Sequence, residues 1–185
     1  MKKVFLFHGS FGSPEENWFP WLKNELQNSS FEVFAPEFPT PKGQSLDSWK
    51  KVFQKFEKEI DEESIFVCHS LGGAFALHLL EKLNLQISAC FFVASFVELL
   101  GDKKFDEVNK SFVLHEFDWA KIRKNCAHFE VLYSDNDPYV SLSCAEKIAK
   151  ELGVKVQVVK GAGHFNSEAG YEKFPMLLEK IRKMW

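Results

Sequence analysis

Short apolar runs alternate along the chain with amphipathic stretches of helical period, and that alternation predicts strands and helices in turn. Residues 4–7 are continuously apolar, as a strand buried on both faces must be, and the glycine-rich loop His8-Gly-Ser-Phe-Gly-Ser13 follows. Trp18, Trp21, Leu22 and Leu26 then fall on one side of a helix that fades at Asn28-Ser-Ser30. Residues 31–35 predict the second strand. Beyond a proline-rich connection, Leu46, Trp49, Val52, Phe53, Phe56 and Ile60 recur between lysines and glutamates, predicting an amphipathic helix over 46–60. Strand three is 65–67, and the helix 71–83 after it is apolar almost all round, which marks it as the most buried helix. Strand four covers 87–94.

Between 98 and 125 the pattern breaks into charges and scattered aromatics, so short helices and loop are expected there, as a small lid-like insertion. Strand five is predicted at 129–133. The turn Ser134-Asp-Asn-Asp-Pro138 and a helix with Leu142, Ala145, Ile148, Ala149 and Leu152 facing the core come next. Residues 154–159 read as strand six and Gly161-Ala-Gly-His-Phe165 as a second glycine-rich loop. Phe174, Leu177, Leu178, Ile181 and Trp185 stripe the closing helix. This succession predicts an α/β fold with about six parallel strands, helices on both faces, and a single domain over 1–185.

Composition narrows the partners. At 185 residues, 45% hydrophobic and 26% charged, the chain fills one core and is short for two. A formal net charge of −3, with lysines interspersed among glutamates, offers no basic surface to a phosphate backbone and argues against nucleic acid. No apolar run reaches membrane-spanning length, and the run at 4–7 is too short for a signal-peptide core. Cys68, Cys90, Cys126 and Cys144 lack metal-ligand spacing and are expected as reduced thiols, which points to the cytoplasm. The oligomeric state stays open between monomer and weak dimer.

Candidate chemistry lies at the carboxyl ends of the predicted strands, where an open parallel sheet gathers its functional groups. Ser64-Ile-Phe-Val-Cys-His-Ser-Leu-Gly-Gly73 carries strand three directly into a helix, with Ser70 at the turn and Gly72 two residues beyond. Such a turn lifts a serine hydroxyl clear of the sheet and tolerates only small neighbours. Cys68 stands where glycine is usual, and it is expected as a buried small residue beneath the turn. Asp137 follows strand five and His164 follows strand six. The order serine, acid, histidine is that of the α/β-hydrolases. Histidine is the expected base for the serine, and the aspartate the group that orients it. Backbone N–H groups of Leu71 and Ser10 are the expected oxyanion donors, with Phe11 as alternative to Ser10. Asp135 is the rival for Asp137. His8, His69 and His78 are expected to be structural, since no metal-ligand spacing is present. Phe11, Trp18 and Phe165 are the candidate pocket residues.

His8-Gly9, Asn17-Trp-Phe-Pro-Trp-Leu22, Cys68-His-Ser-Leu-Gly-Gly73, Trp119-Ala-Lys-Ile-Arg-Lys-Asn-Cys126, Ser134-Asp-Asn-Asp-Pro138 and Gly163-His-Phe165 resemble small serine hydrolases of the retinoblastoma-binding-protein-nine and YdeN type. The resemblance covers nearly the whole chain. It implies a minimal α/β-hydrolase without a large cap domain, with Ser70 as nucleophile, Asp137 as acid and His164 as base. It also implies a cofactor-free hydrolase acting on small esters, amides or thioesters through an acyl-enzyme. The alternative is a non-catalytic hydrolase fold used as a protein-binding module. Leu142-Ser-Cys-Ala-Glu146 matches a pocket-protein-binding pattern, but its place in a helix with Leu142 facing inward makes the match fortuitous. Ser143 and Glu146 have capping-box spacing, which accounts for two of its residues.

Overall fold

In the computed structural model, which describes residues 2–184, six parallel strands form one sheet in the order β2-β1-β3-β4-β5-β6. The strands are β1 (Lys3–Phe7), β2 (Glu32–Phe34), β3 (Ile65–His69), β4 (Ile87–Val93), β5 (Cys126–Ser134) and β6 (Val156–Val159). The helices are α1 (Phe19–Asn28), α2 (Leu46–Phe53), α3 (Leu71–Lys82), α4 (Lys103–Val113), α5 (Trp119–Lys124), α6 (Leu142–Leu152) and α7 (Pro175–Lys183). Side-chain alternation along the strands feeds two cores. Phe5, Phe7, Phe66, Cys68, Cys90 and Phe92 join Trp49 and Phe53 of α2, most of α3, and the inner faces of α5 and α6. Val4, Leu6, Ile65, Val67, Phe91 and Val93 point the other way, onto Phe19, Leu22 and Leu26 of α1 and Leu177 and Ile181 of α7. The sheet is therefore covered on both faces, as the unbroken apolar strands require.

Several boundaries differ from expectation. Helix α2 stops at Phe53, and the chain tightens into a 3₁₀ turn over Gln54–Glu59. Residues three apart eclipse in that geometry, which brings the Phe53 and Phe56 rings to 6.0 Å. Strand β5 begins at Cys126, ahead of its apolar run, because the start of β4 needs a partner: Ile87 pairs with Cys126 and Ala89 with His128. The irregular 98–125 stretch holds α4 and α5, with Asp102 and Asp118 as their N-caps. Leu142 is 40% exposed rather than inward, while Cys144 is buried. The N-cap of α6 is Ser141, so the Ser143–Glu146 capping box does not form. Trp185 lies outside the described residues.

The strand order reverses between β1 and β3, which makes their carboxyl ends the natural crevice of the sheet. Among the described residues no helix is long and apolar enough to cross a membrane.

Candidate active site

Ser70 sits between the last residue of β3 and the first of α3, with φ 55° and ψ −123°. This is a strained conformation for a residue with a Cβ, and the surroundings hold it. The Ser70 N–H donates to Val93 O at 2.9 Å, tying the turn to the end of β4. Gly72 passes so close to β1 that a Cβ there would stand 2.3 Å from Phe7 O. A Cβ on Gly9 would stand 2.7 Å from the Cβ of Ser70. Only backbone fits between the two loops, so the sequence His8-Gly9 is what lets the first loop lie against the serine. His8 anchors that loop as a neutral Nδ1–H tautomer: Nδ1–H donates to Gly9 O at 2.8 Å and Nε2 accepts from Phe38 N–H at 3.0 Å. Burial pushes its pKa down.

His164 Nδ1–H donates to Asp137 Oδ2 at 2.8 Å, and the Asp137 side chain is wholly buried. The other carboxylate oxygen accepts from the N–H groups of Tyr139 and Val140 at 2.9 and 3.0 Å. With its Nδ1 proton held by a carboxylate, the imidazole presents Nε2 as an acceptor. Asp135, the rival acid, turns elsewhere and accepts from Gly161 N–H at 2.8 Å. Asn136 Oδ1 accepts from Gly163 N–H at 2.8 Å, and Ser134 Oγ from Ala162 N–H at 2.9 Å. The run Ser-Asp-Asn-Asp thus fastens the loop after β6 to the loop after β5, one side chain after another. In the sequence the run reads as a turn, yet four consecutive small polar side chains are the signal for such a seam.

Below this, His69 is almost fully buried and donates its Nε2–H to His164 O at 2.8 Å. Burial, reinforced by the adjacent His164 ring, pushes its pKa down to about 3, so it stays neutral. Cys68 points to the opposite face, 0% exposed, with its Sγ 4.0 Å from that of Cys90.

Ser70 and His164 line one cavity of about 580 Å³, with Asp137 behind the histidine. Phe11, Phe96, Leu100, Phe105 and Val140 give it apolar walls, and Lys104 stands at the ring of Phe11. Two of the three expected pocket aromatics are not there. Trp18 and Phe165 are 0% exposed and belong to the core under α1 and α7. Trp18 donates its indole N–H to Phe165 O at 2.9 Å, so the pair braces the backbone beside His164 rather than a ligand. Their places are taken by Phe96, Phe105 and Tyr139, whose ring meets that of His164 edge-on at 5.2 Å.

The backbone N–H groups of Ser10 and Leu71 have no acceptor among the described residues. That of Phe11 does: it donates to Thr40 Oγ1 at 2.6 Å, which removes Phe11 as the alternative oxyanion donor. A polar chain continues from there. Thr40 Oγ1 donates to Gln44 Oε1, Gln44 Nε2 to Asn109 Oδ1 and Val108 O, and Ser10 Oγ–H to Asn109 Oδ1 at 2.5 Å. It couples the first loop to α4.

A family model described as "Serine hydrolase" matches residues 4–183. YdeN of Bacillus subtilis (strain 168) is 28% identical over 183 residues, covering 97% of this chain and 94% of that protein. Serine hydrolase RBBP9 of Rattus norvegicus is 26% identical over 156 residues, covering 84% and 81%. The crystal structure of the B. subtilis ydeN gene product superposes with a TM-score of 0.92 at 25% identity, covering 100% and 98% of the two chains. A monoacylglycerol lipase of Paleococcus ferrophilus shares the fold at a TM-score of 0.70 and 17% identity. With a model match over all but the ends of the chain, on a six-stranded α/β-hydrolase sheet without a large cap, this protein belongs to the serine hydrolase family.

Proposed function

We propose that the protein hydrolyses small carboxylic esters through an acyl-enzyme on Ser70, with His164 as base and Asp137 orienting it. The observation that carries this reading is the shared cavity of Ser70 and His164, with the buried Asp137 carboxylate holding the far ring nitrogen. As Ser70 Oγ attacks the ester carbonyl carbon, its proton passes to His164 Nε2. The N–H groups of Ser10 and Leu71 receive the oxyanion. Collapse of the tetrahedral adduct breaks the bond to the alkoxide, which leaves with the proton from His164. Water, deprotonated by the same imidazole, then cleaves the acyl-serine. The apolar walls suit an aliphatic or aromatic acyl group, and the route needs no cofactor. Four buried free thiols suit a reducing, cytoplasmic setting.

A fluorophosphonate probe tests this directly. Labelling at Ser70 that disappears in Ser70→Ala is the expected result; undiminished labelling of that variant refutes it.

A further inference from the structure

We infer that His78, Glu81 and His115 form a binding site for a divalent transition metal ion of the zinc class. This inference is independent of the chemistry assigned to Ser70.

The three side chains come from two parts of the fold. His78 and Glu81 lie three residues apart on one face of α3, and His115 comes from the segment joining α4 to α5. Among the described residues this is the group whose ligand atoms all lie within 4.8 Å of one another. Donor atoms in a tetrahedral zinc shell stand roughly 3.4 Å apart, given bonds of about 2.1 Å. The ligand atoms must therefore close by at most about 1.4 Å to reach a coordinating arrangement. His115 is the most exposed of the three, with 37% of its side chain accessible, and can make that adjustment.

The surrounding groups are arranged as they are around metal ligands. A carbonyl oxygen only accepts, so His78 Nε2, 2.8 Å from Phe112 O, bears the proton and leaves Nδ1 with its lone pair. Such a bond to the far nitrogen fixes the tautomer a ligand needs. Glu81 Oε1 accepts from Asp118 N–H at 2.6 Å, which orients the carboxylate and leaves Oε2 toward His115 Nε2 at 2.8 Å. Metal binding at that contact needs the His115 proton on Nδ1, so that Nε2 turns its lone pair to the ion in place of donating to Glu81. The Phe117 ring packs 4.8 Å from both imidazoles, giving an apolar wall. The His115 and Glu81 side chains themselves reach solvent, which gives an ion access to the cluster.

Two imidazoles and one carboxylate select zinc, cobalt, nickel or copper over magnesium and calcium, which require oxygen. The Lys50 ammonium interacts electrostatically with both His78 and Glu81, and its positive charge opposes cation binding there. An ion here joins α3, the helix that begins after Ser70, to the segment that follows α4, whose Lys104, Phe105 and Asn109 line the active-site cavity.

The test is calorimetric titration of the chelator-stripped full chain with ZnCl₂, in a His164→Ala background so that the active-site cavity's imidazole cannot act as a ligand. Saturable binding of one ion per chain is expected, weakened at least tenfold by His115→Ala and by Glu81→Gln. Both substitutions are at partly exposed side chains and spare the buried His78. His128→Ala, at the other His–Glu contact, should bind like the background protein. CoCl₂ should give visible absorption that the same two substitutions abolish. No saturable binding, or binding that persists unchanged in both variants, overturns the inference.

Discussion

Replacing Gly9 with alanine adds one methyl group at the place where two loops touch. That carbon would stand 2.7 Å from Ser70 Cβ, 3.1 Å from Ser70 Oγ and 3.3 Å from His69 O. Ordinary carbon contacts begin at about 3.5 Å, so the overlap is close to 1 Å. Neither side yields readily. Ser70 is held by its bond to Val93, α3 is pressed at Gly72 against the Phe7 carbonyl, and the first loop is pinned by both nitrogens of His8. A displacement of about 1 Å at a nucleophile costs about a hundredfold in rate, or about 2.7 kcal/mol of barrier. Overpacking should lower stability by about 1–3 kcal/mol in addition. The rate of fluorophosphonate labelling measures the first effect and chemical denaturation the second. Gly12→Ala is the control: its added carbon comes no nearer than 3.4 Å to any neighbour, and near wild-type behaviour is expected. A folded Gly9→Ala protein that labels at the wild-type rate would refute the reasoning.

Asp137→Asn can retain the Tyr139 and Val140 N–H bonds through its carbonyl oxygen. Its amide then faces His164 Nδ1 and drives the imidazole proton to Nε2. Turnover should fall about ten-thousandfold, as for the equivalent change in a characterised serine protease, with the fold intact; a loss below tenfold would show that another group orients the histidine. Because the folded pKa of His69 is about 3 against 6.5 for the free side chain, the unfolded chain binds the extra proton between those values. The stability His69 contributes is therefore complete above pH 6.5 and lost as pH falls toward 3, and His69→Gln should flatten the denaturation midpoint against pH over that window. An unchanged slope would remove His69 from that role. Cys68 should resist thiol reagents in the folded protein and react on unfolding; rapid modification under native conditions would reveal an open turn.

The order of strands and helices was legible because it rests on periodicity, and periodicity is a property of neighbouring residues. The loops carrying Ser70, Asp137 and His164 were legible for the same reason, since each follows an apolar run. What local pattern does not hold is which backbone touches which. Asp135 and Asp137 stand two residues apart in one turn, and what separates them is tertiary: Asp137 meets His164 Nδ1 while Asp135 meets the Gly161 N–H. The Phe11 N–H was lost as a donor to a threonine far along the chain. Trp18 and Phe165 flank the site in sequence, yet both serve the core, because an indole N–H bonded to a backbone carbonyl has more to gain from burial than from a ligand. Leu142 carries the helical period but is the first residue of α6 and stays exposed.

The Trp18–Phe165 bond also has a bearing on time. It spans 147 residues, and the ring of Phe165 stacks on Phe174 beside α7. The backbone that carries His164 is therefore held by contacts between the two ends of the chain, pairings whose high sequence separation makes them slow to form. Synthesis from the N-terminus delivers the Ser70 turn well before the loop that carries His164. The position of His164 thus depends on both ends of the chain being docked, and a disturbance at either end reaches the candidate active site.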